Sequence, residues 1–374
     1  MKFICKRTDL ANGISIVNKA IPKRSTMSIL ECILINATDG YIRLTGNDME
    51  LGIETTVDAQ VEEKGIIALD AGIFLEIVRK LPEEEVIFES DDRFMTHIIS
   101  GNSNFNIVGK SGDDYSYLPE IGKSESVIIS QLALRDVIRQ TIFSIAEGND
   151  DSANQQSMRG ELLEIFGDSI RLSSLDGHRI SIRRILLKDV YNSQKVIVPG
   201  KSLNEISRIL TGGAEDDVEI SFTPNHIMFE FGETKVVSRL IEGKFFDVDK
   251  MNIKDYETKV KVNRQIFMNC IDRALLLVRE GDKKPIVLDI RDDQVTMNIN
   301  SVQGSMKETI AIEKFGKDLM IAFNPKFVLD ALKVIEDEEV EIYFVNSKAP
   351  CFIKNNSETY VYVVLPINFN SVQQ

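Results

Sequence analysis

The sequence has little of what metal sites and disulfide frameworks are built from. It contains three histidines and four cysteines in 374 residues. The histidines lie in different segments, and the cysteines, which form no CxxC pair, are Cys5, Cys32, Cys270 and Cys351. We therefore expect no metal site, and we expect four reduced, mostly buried thiols in a cytoplasmic protein. Disulfides are the less favoured alternative.

Long apolar runs are also lacking. No stretch approaches the roughly 20 apolar residues of a membrane span. The opening residues, MKFICKRTDL, lack the apolar stretch of a signal peptide. Because 43% of the residues are hydrophobic, the chain can still build a core in each of the two or three domains that its length predicts. These features predict a cytoplasmic protein without a membrane anchor.

The motifs of common active sites are missing as well. Gly-Lys-Ser occurs three times, but a phosphate-binding loop needs another glycine five residues earlier. The Gly-Lys-Ser copies begin at Gly109, Gly122 and Gly200, and the earlier positions hold Asn104, Tyr117 and Lys195. No GxSxG, HExxH or GxGxxG is present. We expect no catalytic residues and no cofactor.

The sequence does contain one pattern that is repeated three times. Each copy has a short apolar entry, an amphipathic helix, an acidic turn and an alternating strand, and the copies span residues 69–89, 198–222 and 323–344. The valines that open the three strands are Val86, Val218 and Val340. Since the spacing is as long as a small domain, the pattern predicts one domain copied in tandem.

Other segments repeat in step with this pattern. Each copy opens with a strand and a helix, starting at Met1, Ser126 and Thr258, and continues with a two-strand unit. We predict hairpin turns at Asp39-Gly40, Gly167-Asp168 and Asp292-Asp293. The element order predicts an α+β fold with antiparallel sheets, in three domains at 1–123, 124–253 and 254–374.

Charge is distributed unevenly along the chain. The net charge of −14 argues at first sight against nucleic acid. Six predicted helical windows are nevertheless neutral or positive: Arg7–Arg24, Asp70–Leu81, Ser130–Ala146, Pro199–Leu210, Asn263–Arg279 and Pro325–Ile335. Basic helices combined with acidic sheets indicate that the protein has two faces with different functions. The alternative is that each helix simply turns a solvated face outward.

Two local sequences stand out. The segment Ser174–Ile180 reads SLDGHRI, and the alternative to a functional role is a plain Asp-Gly turn. The segment Tyr362–Phe369 is apolar almost to the terminus, where chains usually fray in polar sequence. For this tail the alternative is an edge strand that ends the last sheet.

With these pieces in order, the whole chain resembles the bacterial DNA polymerase III β subunits, the sliding clamps. The matching segments are Lys23–Leu30, Leu44–Asp48, Leu175–Ile180, Val196–Lys201, Arg239–Phe245, Phe323–Pro325 and Val363–Phe369. The resemblance implies three copies of one α+β domain per subunit and a homodimer closed head to tail into a ring. Helices would line the hole and antiparallel sheets would form the rim. It also implies a processivity factor that encircles duplex DNA without reading its sequence and tethers the replicative polymerase, the clamp loader and repair proteins.

The resemblance further implies a pocket for short partner peptides. Its residues are Met158, Leu175, Gly177, His178, Arg179, Ile180, Phe246, Lys250, Met251, Asn324, Phe327, Pro350, Val363, Val364, Leu365, Pro366 and Ile367. Phe246, Lys250 and Leu175 stand where the family often has proline, arginine and threonine, so peptide preference is expected to differ. The loop 150–157 lacks the residues common there, which puts DNA contacts from it in doubt.

DNA phosphates are expected to meet Arg24, Arg139 and Lys201. For the dimer interface we expect Ile73, Ile77, Phe105 and Ile107 to face Leu276 and Leu277 of a second subunit, unless these are ordinary core residues. Two other functions stay open from the sequence: a DNA-modifying or nucleotide-binding enzyme, and a scaffold that does not bind DNA.

Overall fold

The computed structural model describes residues 1–122, 126–148, 153–251, 255–279 and 284–368. The chain divides into two compact units, Met1–Leu134 with Glu205–Leu240, and Arg135–Asn204 with Ile241–Gln374. The domain limits at 123 and 253 stay predictions, since 123–125 and 252–254 lie outside the described residues. Phe369 and residues 150–152 of the 150–157 loop lie outside them too.

Seven helices are found in the described residues: α1 (Arg7–Val17), α2 (Ala71–Lys80), α3 (Gln131–Thr141), α4 (Ala153–Met158), α5 (Gly200–Ile209), α6 (Arg264–Leu275) and α7 (Pro325–Val334). All but α4 fall in the six predicted windows. Their starts are set by local chemistry. Asp70 accepts the N–H of Ile73 at 2.8 Å, which caps α2, and Asn324 caps α7 with Pro325 at its first position.

The helix α4 corrects the expectation of a loop at 150–157. Polar residues precede its last residue, Met158, so the sequence carries no periodic apolar signal. The helix is instead stabilised by tertiary packing, because Met158 lies against an apolar cluster of the same unit. Its carbonyl also accepts the N–H of Ala146 at 2.8 Å.

The strands are β1 (Lys2–Lys6), β2 (Cys32–Thr38), β3 (Tyr41–Asn47), β4 (Leu51–Glu63), β5 (Gly65–Asp70), β6 (Glu85–Ser90), β7 (Met95–Ser100), β8 (Ser103–Val108), β9 (Lys110–Ser111), β10 (Ser126–Ser130), β11 (Gly160–Leu175), β12 (Arg179–Pro199), β13 (Asp217–Phe222), β14 (His226–Phe231), β15 (Thr234–Arg239), β16 (Thr258–Asn263), β17 (Ile286–Arg291), β18 (Gln294–Ser301), β19 (Gly304–Ala311), β20 (Glu313–Gly316), β21 (Leu319–Phe323), β22 (Glu339–Phe344), β23 (Cys351–Lys354) and β24 (Tyr360–Val364).

Each unit is built on antiparallel sheets, as predicted. In the first unit one 13-stranded sheet runs β10-β13-β14-β15-β4-β1-β6-β7-β8, with β2, β3, β5 and β9 branching from it. The second unit holds a seven-stranded sheet, β11-β12-β24-β23-β22-β16-β20, and a four-stranded sheet, β19-β18-β17-β21. The element order therefore gives α+β layers and not parallel βαβ units.

The threefold pattern of the sequence is repeated in the strand register. The three valines that open the repeated strand each pair with the first strand of their own copy. Val86 lies opposite Cys5, Val218 opposite Ile129, and Val340 opposite Val262. All three valines are fully buried. In every copy, a strand with alternating side chains therefore pairs with the first strand of that copy.

One sequence expectation about strands was wrong, and one alternative is excluded. Gly167-Asp168 is not a hairpin turn: Gly167, at φ +56°, makes a register shift inside the single strand β11. A glycine at positive φ serves a bulge as well as it serves a turn. The turns at Asp39-Gly40 and Asp292-Asp293 are confirmed. The tail strand β24 is not an edge strand, because it pairs with both β12 and β23.

The four cysteines lie in the cores of the units. All are free and buried. Burial raises the pKa of the Cys5 and Cys270 thiols to about 12, so both stay protonated at neutral pH. They act as small apolar side chains, as the sequence indicated.

Candidate functional site

An open cavity of about 550 Å³ lies in the second unit. We call it the apolar cavity. Its lining is Met158, Leu175, Gly177, His178, Arg179, Ile180, Phe246, Met251, Val363 and Leu365. All ten belong to the predicted peptide pocket. They come from the end of α4, the β11–β12 turn, the end of β24 and the segment that follows β15.

A tight turn builds one wall of the apolar cavity. Oδ1 of Asp176 accepts the N–H groups of His178, at 2.9 Å, and of Arg179, at 3.1 Å. Gly177 between them takes φ +87°, which favours glycine. The carbonyl of His178 accepts the N–H of Leu365 at 2.8 Å, which fixes the segment after β24 beside the turn.

The guanidinium of Arg179 is bonded to the protein itself. It donates to Asp176 at 2.8 Å, to Asp330 at 2.7 Å and to the carbonyl of Phe143 at 2.6 Å. It also lies over the Phe327 ring, 4.3 Å from the ring centroid. Burial alone would lower its pKa, but nearby Tyr362, Asp330 and Asp176 raise it above the ordinary value. Arg179 therefore stays charged and holds the wall in place.

Apolar side chains form the floor of the cavity. Leu175, Ile180 and Val363 are buried in a cluster that includes Tyr343 and Phe352 from β22 and β23. At the mouth, Phe246 is 44% exposed and Leu365 is 40% exposed. A concave apolar surface with a few fixed polar groups can bury a ligand's apolar side chains and orient its backbone. None of the ten described lining residues is a serine, threonine, cysteine or lysine.

The other seven predicted pocket residues are not part of the cavity lining. Val364 is buried between Arg179 and Cys351 in the sheet register. Pro350 and Pro366 are half-buried, and Lys250 is exposed. Asn324 caps α7, Phe327 lies under Arg179, and Ile367 donates its N–H to the carbonyl of Ala322 at 2.8 Å. The role of all seventeen residues in peptide binding stays a prediction.

Sequence reasoning missed the groups that position the wall. Asp176 was interpreted only as a turn residue, and Asp330 was not singled out. Asp330 lies on α7, far along the chain from the turn, so no local pattern could have linked it to Arg179. The Asp-Gly pair at 176–177 was the one available signal, because Asp side chains accept N–H bonds from the next residues in such turns.

The three predicted DNA contacts are all exposed. Arg24 lies in the segment that follows α1. Arg139, on α3, is paired with Glu336 at 2.9 Å and with Asp136 at 3.6 Å. Lys201 lies in the first turn of α5. Their role stays a prediction.

None of the predicted interface residues is fully buried, although Leu277 packs partly against the core of the second unit. Ile73 is 53% exposed, Phe105 38% and Leu276 77%. Ile77, Ile107 and Leu277 are half-buried. Phe105 and Ile107 lie on β8, which ends its sheet with a single partner, β7, in the described residues.

Across the described part of the chain, no group of three His, Cys, Asp or Glu residues is arranged to hold a metal ion. Among the helices described, none has both the length and the apolar character to cross a membrane.

Fold and cavity together define a triplicated α+β protein with an apolar cavity in its second unit. Family models of the DNA polymerase III beta subunit match three successive parts of the chain, the N-terminal domain at residues 1–119, the central domain at 128–247 and the C-terminal domain at 253–368. The beta sliding clamps of Staphylococcus epidermidis and Staphylococcus aureus are 33% identical over 98% of this chain and 99% of their own length.

Solved structures agree. A putative DNA polymerase III beta subunit from Eubacterium rectale is 56% identical, with a TM-score of 0.94 over 99% of this chain and all of that one. The Bacillus subtilis sliding clamp is 32% identical, with a TM-score of 0.93 over 98% and 99% of the two chains. A Pseudomonas aeruginosa sliding clamp bound to griselimycin is 26% identical, with a TM-score of 0.92 over 98% and 99%.

The chain belongs to the DNA polymerase III beta subunit family and has the three tandem clamp domains that the sequence predicted. Its function is that of a DNA sliding clamp in replication.

Proposed function

We propose that two copies of this chain close head to tail into a ring around duplex DNA and tether the replicative polymerase, the clamp loader and repair proteins. The main support for this proposal is the family match over all three repeats, together with the apolar cavity in the second unit. We further propose that the protein acts in the cytoplasm and catalyses no reaction itself. Processivity then comes from topology, because a closed ring leaves DNA only by opening.

Exposed apolar groups support the dimer. On the first unit, Ile73 and Phe105 stand on α2 and on the edge strand β8, and an edge strand offers unpaired backbone groups to another chain. On the second unit, Leu276 follows α6 and is the most exposed of the six. A heterologous contact between these two surfaces closes if two three-domain arcs complete a ring.

Weak cationic contacts support sliding on DNA. Arg24, Arg139 and Lys201 are exposed cations in a chain whose net charge is −14. Phosphate contacts attract DNA without reading its bases, and few contacts permit movement. Arg139 already has Glu336 as a partner, but an exposed ion pair is weak enough to be exchanged for a phosphate.

Peptide docking is supported by the apolar cavity. Leu175, Val363 and Leu365 offer apolar contacts, and the turn at Asp176 fixes backbone groups beside them. Since Arg179 is bonded to Asp176, Asp330 and the Phe143 carbonyl, it positions the wall, while His178 is exposed to a ligand. A leucine or phenylalanine anchor in such a cavity contributes about 1.5–3 kcal/mol.

Retention on circular DNA tests the ring. The clamp is loaded by its loader onto a closed duplex circle, and co-migration is measured before and after one cut. Retention that is lost on linearisation is expected for a topological link. Equal retention on circular and linear DNA would show ordinary binding and overturn the ring. No retention on either form would favour a scaffold that does not hold DNA.

A further inference from the structure

A second cavity, of about 610 Å³, lies in the first unit. We call it the Met49 cavity, and Met49, Glu50, Tyr117, Leu118, Val237 and Arg239 are among its lining residues. Neither the site predictions nor the family relationship assigns it a role.

The wall of the Met49 cavity repeats the backbone geometry of the apolar cavity. Oδ1 of Asp48 accepts the N–H groups of Glu50, at 3.0 Å, and of Leu51, at 2.7 Å, as Asp176 does in the other unit. The carbonyl of Glu50 accepts the N–H of Arg239, the last residue of β15, at 2.8 Å. The same turn, followed by the same strand-end contact, therefore occurs at both cavities.

The side chains on this shared frame differ. Met49, at φ +75°, takes the place that Gly177 holds at φ +87°. A methionine is held in this left-handed conformation only when its surroundings impose it, and such strain clusters at ligand sites. Its side chain is 56% exposed, and Tyr117 beside it is 65% exposed. Exposed methionine and aromatic side chains are enriched where proteins bind one another.

Leu118 closes the floor of the Met49 cavity. A β-carbon on Gly52 would lie 1.9 Å from Cδ2 of Leu118, so the leucine packs directly on the glycine backbone. In the apolar cavity, the position that corresponds to Gly52 holds Ile180, the residue after Arg179 in β12. The Met49 cavity therefore offers its apolar contacts at the mouth, from Met49 and Tyr117.

Charge distinguishes the occupant. Among the lining residues, the carboxylate is that of Glu50 and the guanidinium that of Arg239. Four further acidic residues, Asp48, Asp113, Asp114 and Glu120, lie next to lining segments in the sequence. Glu50 lies 3.5 Å from Arg239, and both side chains are more than half exposed. Such a pair is weak, so Glu50 remains available to a cationic ligand. Acidic residues in the flanking sequence, Glu50 in the lining and exposed apolar groups together favour a basic segment with an apolar residue as the ligand.

We propose that the Met49 cavity binds a basic peptide segment of a partner protein. An aliphatic or aromatic side chain of the peptide contacts Met49 and Tyr117, and a lysine or arginine of the peptide pairs with Glu50. This inference rests on the proposed function, because the shared frame with the apolar cavity indicates a peptide. One clamp subunit then holds two peptides of different chemistry at once.

Methionine methyl groups report on the two cavities separately. The full chain is labelled with ¹³C-methyl methionine, and the Met49 signal is assigned by Met49→Leu. The probes are acetyl-Lys-Leu-Lys-Phe-Lys-amide and its counterpart with glutamate in place of lysine. The basic peptide should shift the Met49 signal in a saturable way, and the acidic peptide should not. No Met49 shift up to millimolar peptide, or equal shifts with both peptides, overturns the proposal.

Met158 and Met251 line the apolar cavity and test the proposed function in the same spectra. If a polymerase-derived peptide leaves both signals unmoved, peptide docking in the apolar cavity fails, whatever Met49 does. If those signals respond and Met49 never does, only the present inference fails.

Charge variants test the ion pair. Glu50→Gln should lower the affinity of the basic peptide for the Met49 cavity roughly fivefold, which is the effect of about one exposed ion pair. The matched control is Glu215→Gln, an exposed carboxylate in the same unit but outside the cavity lining, which should leave affinity unchanged. Arg239→Gln should leave affinity equal or higher, since it frees Glu50. An unchanged affinity in Glu50→Gln contradicts the proposal.

Discussion

Nη1 of Arg179 donates to Oδ2 of Asp330 at 2.7 Å, and the arginine side chain is 8% exposed while the aspartate is 19% exposed. This ion pair joins the wall of the apolar cavity to α7. Arg179, one of the predicted pocket residues, therefore holds the protein's own structure in place.

Asp330→Ala should destabilise the protein and weaken peptide binding together. The substitution leaves the buried guanidinium of Arg179 with Asp176 but without Asp330, so the cost should stay below about 3–5 kcal/mol, the cost of a buried charge that has lost its compensation. Chemical unfolding gives the free energy, and peptide titration gives the affinity. Glu76→Ala, which breaks an exposed pair with Lys80, is the control and should change stability by less than about 0.5 kcal/mol. Equal effects of the two substitutions would contradict this account.

Leu365→Ala with Pro366→Ala should cut affinity for a polymerase-derived peptide at least about tenfold, equivalent to about 1.4 kcal/mol. Leu365 lines the apolar cavity and is 40% exposed, so its loss removes a ligand contact more than a core contact. Melting temperature and dimer mass should stay near those of the parent. Normal binding with a lowered melting temperature would show that these residues only finish a sheet. Leu186→Ala, at a side chain that is 74% exposed and outside the cavity lining, is the control for surface leucine loss.

Leu276→Ala with Leu277→Ala should yield monomers by light scattering. Leu276 is 77% exposed in the single chain, which favours a partner over a core role. Leu277 packs partly on the core, so the melting temperature is measured on the same preparation. Leu186→Ala with Val190→Ala removes two similarly exposed apolar side chains elsewhere and should remain dimeric. An unchanged dimer in the first variant would exclude this interface.

Arg24→Glu with Lys201→Glu should weaken DNA association and loading with little change in folding. Both side chains are exposed, and reversing their charge replaces attraction to phosphate by repulsion. Binding is measured at several salt concentrations on two unrelated duplexes, where the parent should show a salt slope and no sequence preference. Lys64→Glu, an exposed lysine paired with Asp39, is the control. A strong preference for one duplex at matched salt would contradict the mechanism.

Glu161→Gln should stabilise the protein increasingly as pH rises. Burial raises the pKa of the Glu161 carboxyl well above its usual range, although Thr141 donates a hydrogen bond at 3.0 Å that opposes the shift. The native state thus keeps a proton that the unfolded state releases above a pKa of about 4.3. Stability is therefore lost as pH rises from that value toward the native pKa, at up to about 1.4 kcal/mol per pH unit.

Glutamine removes this loss because it carries no ionisable proton. Unfolding free energies at pH 5 and pH 8 are compared for the parent, Glu161→Gln and the exposed control Glu215→Gln. The gap between Glu161→Gln and the parent should widen at the higher pH, and the control gap should not. A constant gap would mean that Glu161 is ionised in the native state.

Much of the fold could be predicted because its signals are local and repeated. The helices α1, α2, α3, α5, α6 and α7 carry apolar periodicity, and α2 and α7 carry caps at Asp70 and Asn324. The short helix α4 could not be predicted, since Met158 is stabilised by residues distant in the chain. The bulge at Gly167 could not be distinguished from a hairpin turn, because a glycine at positive φ suits both.

The sequence by itself determined the threefold repeat, the antiparallel α+β class and the ten residues that meet at the apolar cavity, the last through family resemblance. Those properties depend on residue order and on period-2 and period-3.6 patterns, which a chain carries before it folds. The tertiary structure alone decided that Arg179 is held by Asp330 and that β24 lies inside its sheet. These depend on contacts between distant segments, whose geometry exists only once the sheets have set their register.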